Sequence, residues 1–236
     1  MNDYELKLLN NITLETITKG IIEETAKWKF KTADYLSLVN ALMDLSLTKS
    51  PTSPSKNILV EEPDLAELTL PLIGEQVQIS LFDKNSDYNI VREWLVDDIG
   101  RWFLLSRPDS RAITLDQLLE DKRNLLGLIR LHDSRPIGLM GYLEYDKHQR
   151  KAEMRKLIGE EEYREKGFAK EATILWMRYG LRNLGLRKIY LNTIENNIRN
   201  VTLNKELGFQ IEGILRKECF IDNKYFDLLR MGFIAE

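Results

Sequence analysis

One segment constrains the rest of this chain more than any other. An extended stretch, Ala152 to Ile158, runs into a loop containing Arg164-x-x-Gly167-x-Ala169, and a long helix starts immediately after it. A helix leaves its first backbone N–H groups without internal partners, and its dipole adds partial positive charge there. A phosphate group accepts such hydrogen bonds readily. Gly167 permits positive φ and a close approach to the backbone, and Ala169 keeps the turn uncrowded. Arg164, Lys166 and Lys170 add cationic side chains nearby. The same pattern also serves as a plain strand–turn–helix connection, so the loop alone does not decide between the two readings.

The flanking periodicities place this segment in a layered fold. Ala172, Leu175, Trp176 and Tyr179 share one helical face, and Gly185 can end that helix. Before it, alternation or apolar runs predict strands at Val77 to Leu81, Leu125 to Leu131 and Ile137 to Tyr145. His132 to Pro136 forms a hairpin loop between the last two. Helices are predicted around Tyr88 to Val96 and Leu115 to Asp121. After the segment come a strand with Ile189 and Leu191, a short helix over Asn197 to Leu207 and strands over Phe209 to Leu215 and Tyr225 to Ile234. Glu218 to Ile221 is a short pairing segment ahead of a turn at Asp222-Asn223. Mixed, largely sequential strands and helices give an α/β or α+β layer fold.

The first 70 residues differ. Leu14, Ile17, Ile21 and Trp28 recur at helical spacing, as do Tyr35, Leu38, Leu42 and Leu45. With Lys29 to Lys31 as a connection and Thr32 as N-cap, they predict an antiparallel helical hairpin. Its stripes suit a local core or a homodimer contact. Lys49 to Lys56, rich in proline and serine, reads as a linker. The expected division is therefore a helical extension over 1–70 and one domain over 71–236.

Composition removes several classes. A net charge of −3 argues against a general nucleic-acid partner. One cysteine, Cys219, and two histidines, His132 and His148, make a disulfide scaffold or zinc site improbable, so no metal is expected. The start lacks a signal-peptide pattern, and no apolar run approaches the ~20 residues of a membrane span. A cytoplasmic protein without membrane partners is the expectation.

The ordered motifs resemble those of the GNAT acetyltransferase superfamily, in particular its ribosomal-protein N-terminal and nucleotide-amino-sugar branch. Arg164 to Ala169 matches that family's pyrophosphate loop. Asn197-x-x-Asn200, Leu207-Gly208-Phe209 and Glu212-Gly213 match its later signature. The resemblance covers about Leu72 to Glu236 and implies a mixed, mostly antiparallel sheet flanked by helices. It implies that acetyl-CoA, as acyl donor, lies between two splayed strands, Ala152 to Ile158 and Lys188 to Thr193. The pantetheine arm would pair near Leu157 and Ile158. Amides of Glu165, Lys166, Gly167, Phe168, Ala169 and Lys170 would hold the pyrophosphate, with Arg164 beside them. Asn197 and Asn200 match cofactor-touching positions; a helix N-cap is the alternative for each, and for Asn200 the two readings are even.

Acyl transfer to an amine needs a neutral nitrogen and a fate for the thiolate. Where many relatives place a tyrosine, this chain has Asn204, which cannot act as an acid. Glu153, on the strand beside the expected thioester, is the first candidate base, with an exposed pair to Arg155 or Lys151 as the plainer alternative. Tyr142, Glu144 and Tyr145 lie on the preceding strand and suit an acceptor pocket or ordinary packing. Cys219 suits a small buried hydrophobe better than a nucleophile. The Glu160 to Glu162 run suits a solvated face, and would attract a cationic acceptor. The leading expectation is direct acetyl transfer to a small-molecule primary amine, with a nucleotide-linked amino sugar first and a protein N-terminus or polyamine as the alternative. A non-catalytic CoA-binding module or an interaction protein remains as a second class.

Overall fold

The computed structural model describes residues 3–47, 68–96, 100, 115–194, 198–221 and 223–235. The linker Lys49 to Lys56, Asn197 and Asp222 lie outside the described residues. The chain forms two compact units, Met1–Pro51 and Thr52–Glu236.

The first unit contains α1 (Asp3–Lys27) and α2 (Thr32–Leu47). Lys29 takes a left-handed conformation, φ 55°, between them. The cap falls one residue before the expected Thr32. The Lys31 carbonyl accepts the first helical bonds, and its amide donates to Asp34 Oδ2 at 2.7 Å. That return bond from the third helical position is half of a capping box. Thr25 Oγ1 and Tyr35 Oη, 2.9 Å apart, tie the two helices near the turn. The apolar stripes do not form a local core: Leu14, Ile17, Trp28, Leu42 and Leu45 are all at least half exposed.

The second unit is one eight-stranded sheet with helices on both faces. Its strands are β1 (Leu72–Ile73), β2 (Val77–Leu81), β3 (Leu125–Leu131), β4 (Pro136–Asp146), β5 (Lys151–Ile158), β6 (Lys188–Ile194), β7 (Gln210–Ile221) and β8 (Lys224–Ile234), in spatial order β1-β2-β3-β4-β5-β6-β8-β7. Every neighbouring pair is antiparallel except β5 and β6. The helices are α3 (Lys84–Val96), α4 (Leu115–Glu120), α5 (Phe168–Arg182) and α6 (Ile198–Glu206). A parallel pair needs a crossover, and α5 supplies it. β7 is one strand where sequence periodicity gave two, because register shifts at Ile211/Gly213 and Leu215/Cys219 interrupt its alternation without ending its pairing with β8. No described helix is long and apolar enough to cross a membrane.

α5 lies on one sheet face through stacked aromatic rings. Trp176 is fully buried and stacks on Tyr142 at 5.3 Å and on Tyr179 at 5.2 Å. Tyr142 Oη donates to the Trp176 carbonyl at 2.8 Å. Tyr142 is therefore a core residue rather than part of an acceptor pocket, and burial pushes its hydroxyl pKa well up. Tyr145 Oη donates to the Leu184 carbonyl, while Glu144 is exposed in a left-handed bulge. On the other face, Val91, Trp94 and Leu95 of α3 and Leu115 and Leu118 of α4 pack against Leu126, Leu128, Leu139, Leu143 and Leu157. Asn183, at the end of α5, grips the Leu68 backbone through both amide groups.

The aromatic stack leaves no room at Gly180. A Cβ there would lie 2.6 Å from Tyr142 Cζ. Gly180→Ala should destabilise the second unit by about 1–2 kcal/mol, the overpacking penalty outweighing the ~1 kcal/mol gain in helix propensity. Urea unfolding checks this; an unchanged or higher midpoint would show that the stack yields freely.

Candidate functional site

The site starts where the parallel pair stops. β5 and β6 share three rungs, Lys151↔Lys188, Ala152↔Ile189 and Glu153↔Tyr190. Beyond Glu153, β5 continues to Ile158 along β4, while β6 continues to Ile194 along β8. A fork opens between them. This is the splay expected between Ala152–Ile158 and Lys188–Thr193.

A buried polar cluster sits at the base of the fork. Glu153 and Arg155 pair at 2.6 Å, both nearly inaccessible. Asn192 Nδ2 donates to Glu153 Oε1 at 2.8 Å, and Arg230 Nε donates to Asn192 Oδ1 at 3.1 Å. The Arg230 guanidinium lies 4.7 Å from the centre of the Tyr190 ring. Burial, with the Glu153 charge next, pushes the Tyr190 hydroxyl up to about 12. The Glu153 carboxylate is thus neither exposed nor paired with Lys151. It ties β5 to β6 at the point of divergence.

The loop after β5 has the features of an anion cradle. The Gly159 amide donates to the Ile137 carbonyl, so Gly159 is bonded to β4. By the alternation of backbone groups along a strand, Leu157 also faces β4 while Ile158 faces the fork. There the Ile158 carbonyl accepts from Arg164 Nε at 3.1 Å, and the Gly159 carbonyl accepts from Arg164 Nη2 at 2.7 Å. Arg164 therefore anchors the loop to the strand end. A short 3₁₀ turn, Glu161–Tyr163, follows, in which the acidic run is not uniformly solvated: Glu160 Oε1 accepts from Trp94 Nε1 at 3.0 Å.

Glu165 and Gly167 both have positive φ, 62° and 90°. They turn the chain into α5 with successive amides at its mouth. The Lys166, Gly167, Phe168 and Ala169 amides donate to no acceptor among the described residues. A Cβ on Gly167 would meet nothing within 4 Å, so that side of the turn is open. Tyr163 stands edge-on to Phe168 and lies under Lys166 Nζ, and its hydroxyl accepts from Arg135. Lys170 Nζ reaches across to Glu206 of α6 at 2.7 Å.

Asn200 Nδ2 donates to Thr193 Oγ1 at 3.1 Å, which joins α6 to β6. Cys219 is buried, and desolvation raises its thiol pKa, as suits a hydrophobe. His132 and His148 are exposed. No cluster of three or more metal-ligating side chains occurs among the described residues.

Sequence reasoning passed over Lys156. It lies on β5 three residues past the last shared rung, partly buried, with Nζ donating to Asn204 Oδ1 at 2.7 Å. Burial lowers its pKa to about 7. Asn204 is fully buried, and its Nδ2 has no partner among the described residues. The available signal was parity: Ala152, Met154 and Lys156 share one strand face, and a lysine is out of place among them.

The chain is similar to several characterised acetyltransferases. It is 38% identical over 171 residues to the spermidine N(1)-acetyltransferase of Vibrio cholerae, a match covering 70% of this chain and 92% of that protein. It is 36% identical over 99 residues to the spermidine N(1)-acetyltransferase of Escherichia coli K12, 42% of this chain, and spans only about half (53%) of that relative. The crystal structure of Vibrio cholerae spermidine N-acetyltransferase in complex with CoA and spermine superposes with a TM-score of 0.59 at 26% identity, covering 68% of this chain and 96% of that one. These relatives are polyamine enzymes, and the expected ribosomal-protein and nucleotide-amino-sugar branch finds no support among them. The Acetyltransferase (GNAT) domain matches residues 80–210, more than half of the chain, and the chain accordingly belongs to the GNAT acetyltransferase family.

Proposed function

We propose that this protein transfers the acetyl group of acetyl-CoA to a primary amine of a polyamine such as spermidine. The observation that carries the donor half is the row of open amides at Lys166 to Ala169, set where a fork between β5 and β6 ends in a helix N-terminus. A diphosphate satisfies those donors and sits favourably in the helix dipole. The arm of the donor then runs back along the fork-facing edge of β5, past Ile158 towards the divergence at Glu153. The side chain of Leu157 belongs to the core behind that edge. Asn200 supports the wall of the fork through Thr193.

The acceptor half rests on similarity to the polyamine acetyltransferases. It replaces the nucleotide-sugar expectation, which drew only on the wording of short motifs. The buried Glu153–Arg155–Asn192 cluster fixes the geometry of the divergence rather than offering a free base. The acceptor is delivered as a neutral amine, and its proton passes to solvent as the amide forms. Positioning donor and acceptor in the fork supplies the rate by proximity.

Acetyl-CoA should raise the melting temperature, because it binds only the folded state. Thiol release from acetyl-CoA should be rapid with spermidine and negligible with a nucleotide-linked amino sugar. The reverse preference would overturn the acceptor. Gly167→Asp should weaken CoA binding by about tenfold or more, since a side chain at φ 90° distorts the turn and brings negative charge to the diphosphate. Calorimetry checks this, and unchanged affinity would remove the diphosphate from the loop. Glu153→Ala should lower stability by about 3–5 kcal/mol, because it removes the carboxylate paired with the buried Arg155 guanidinium. A variant that loses turnover yet unfolds at the wild-type urea concentration would restore Glu153 as the base.

A further inference from the structure

The reaction releases a thiolate, and the fork contains a proton source for it beside Asn204, the position where the family resemblance implies a tyrosine. We infer that Lys156 is the acid that protonates the departing CoA sulfur and that Asn204 is its positioning residue. The inference rests on acetyl-CoA lying in the fork as proposed above.

Geometry places Lys156 at the right level. The donor's diphosphate is held at Lys166 to Ala169, and its arm runs back along β5 from Ile158. An extended arm covering about four residues of strand, each rising about 3.3 Å, brings the sulfur to the level of Met154 to Lys156. Those residues lie just past the last β5–β6 rung, Glu153↔Tyr190, where the fork is narrowest. Lys156 Nζ reaches from β5 to α6, donating to Asn204 Oδ1 at 2.7 Å. Among the described residues, Lys156 pairs across strands only with uncharged Met140 on β4. Glu153 and Arg155 lie on the opposite face of β5 and pair with each other. On the flanking helices Lys170 pairs with Glu206. Lys156 thus bonds to a neutral amide where a structural lysine would take a carboxylate.

Two features lack a structural purpose and acquire one here. Lys156 is partly buried and has no counter-charge among the described residues, an arrangement that costs stability. Its amide partner keeps a second donor, Asn204 Nδ2, buried and without an acceptor among the described residues. Both suit a place completed by an acceptor-bearing ligand. Desolvation lowers the ammonium pKa to about 7, so its proton is easily surrendered to a thiolate.

The step balances. The neutral amine nitrogen bonds to the thioester carbon, the C–S bond breaks, and its electron pair moves to sulfur. The Lys156 ammonium gives that sulfur a proton, leaving CoA thiol and a neutral lysine. The acceptor nitrogen sheds one proton to water, and water returns one to Lys156.

The test compares wild type with Lys156→Met, using acetyl-CoA and spermidine at saturation. The kcat of Lys156→Met should fall by about 10²-fold or more, the usual worth of a positioned acid. Its CoA affinity by calorimetry should stay within about threefold, since the loss lies in the chemical step. Wild-type kcat should fall as pH rises and Lys156 loses its proton, and that alkaline limb should be absent from the variant. The melting temperature at pH 6 should change little, because relief of the desolvated charge offsets the lost bond to Asn204 Oδ1. A kcat within about threefold of wild type, or an alkaline limb retained in the variant, would overturn the assignment. If Lys156→Met does not fold, Lys156→Gln is read by the same criteria. Failure of the wild type to bind CoA sinks the donor reading itself, whereas normal binding with unchanged kcat sinks only the role of Lys156.

Discussion

Everything in the second unit depends on two parallel strands that pair for three rungs and then part. A sheet that paired β5 and β6 along their whole length would bury the backbone edge that a donor arm must meet. One that never paired them would lose the crossover that sets α5 over the sheet. The compromise holds because each strand keeps its outer partner, β4 for β5 and β8 for β6. At the point of parting, Glu153, Arg155, Asn192 and Arg230 link the two sides. Buried charges of this kind add little net stability against an apolar alternative, but removing one partner is expensive. Such a cluster therefore works as a latch that specifies where the fork begins.

The loop beyond β5 depends on the same arrangement. Its amides are open because Arg164 satisfies the carbonyls of Ile158 and Gly159, leaving the turn free to point its N–H groups outward. A left-handed non-glycine residue at Glu165 costs on the order of 1 kcal/mol and persists only where the surroundings enforce it. Sequence reading assigned Arg164 to the phosphate. Its anchoring role is less direct, and it explains why an arginine opens the motif: a planar fork bonds two adjacent carbonyls at once.

Much of this was legible in the chain. The strands over Leu125 to Ile158, the helix with Trp176 on its buried face and the turn at Gly167 that leads into it follow from periodicity and helix-end chemistry. Three things were not. The β7 bulges break the alternation that periodicity reads, so one strand looked like two. The helical hairpin has the spacing of a packed pair yet leaves Leu14, Ile17 and Trp28 exposed, since spacing reports amphipathicity and not what covers it. Lys156 and Asn204 lie 48 residues apart in the chain, and only the fold makes them neighbours. The comparisons support the polyamine alternative better than the nucleotide sugar put first, because short motifs encode the shared donor and not the acceptor.

The pair at positions 156 and 204 illustrates how an acid can move without moving the chemistry. A proton donor must reach the sulfur, and either wall of the fork can carry it. A tyrosine on the helix stays neutral and protonated in an apolar crevice, which suits an acid. A lysine on the strand reaches the same space from the other side, and burial drives its pKa down to about 7. Once the lysine occupies that space, a phenol at position 204 would compete for volume, whereas asparagine fits and offers an acceptor that orients the ammonium. The amide is neutral, so it does not raise the lysine pKa back as a carboxylate would. An asparagine that looks like a lost catalytic residue in the sequence is therefore the partner that a relocated one requires.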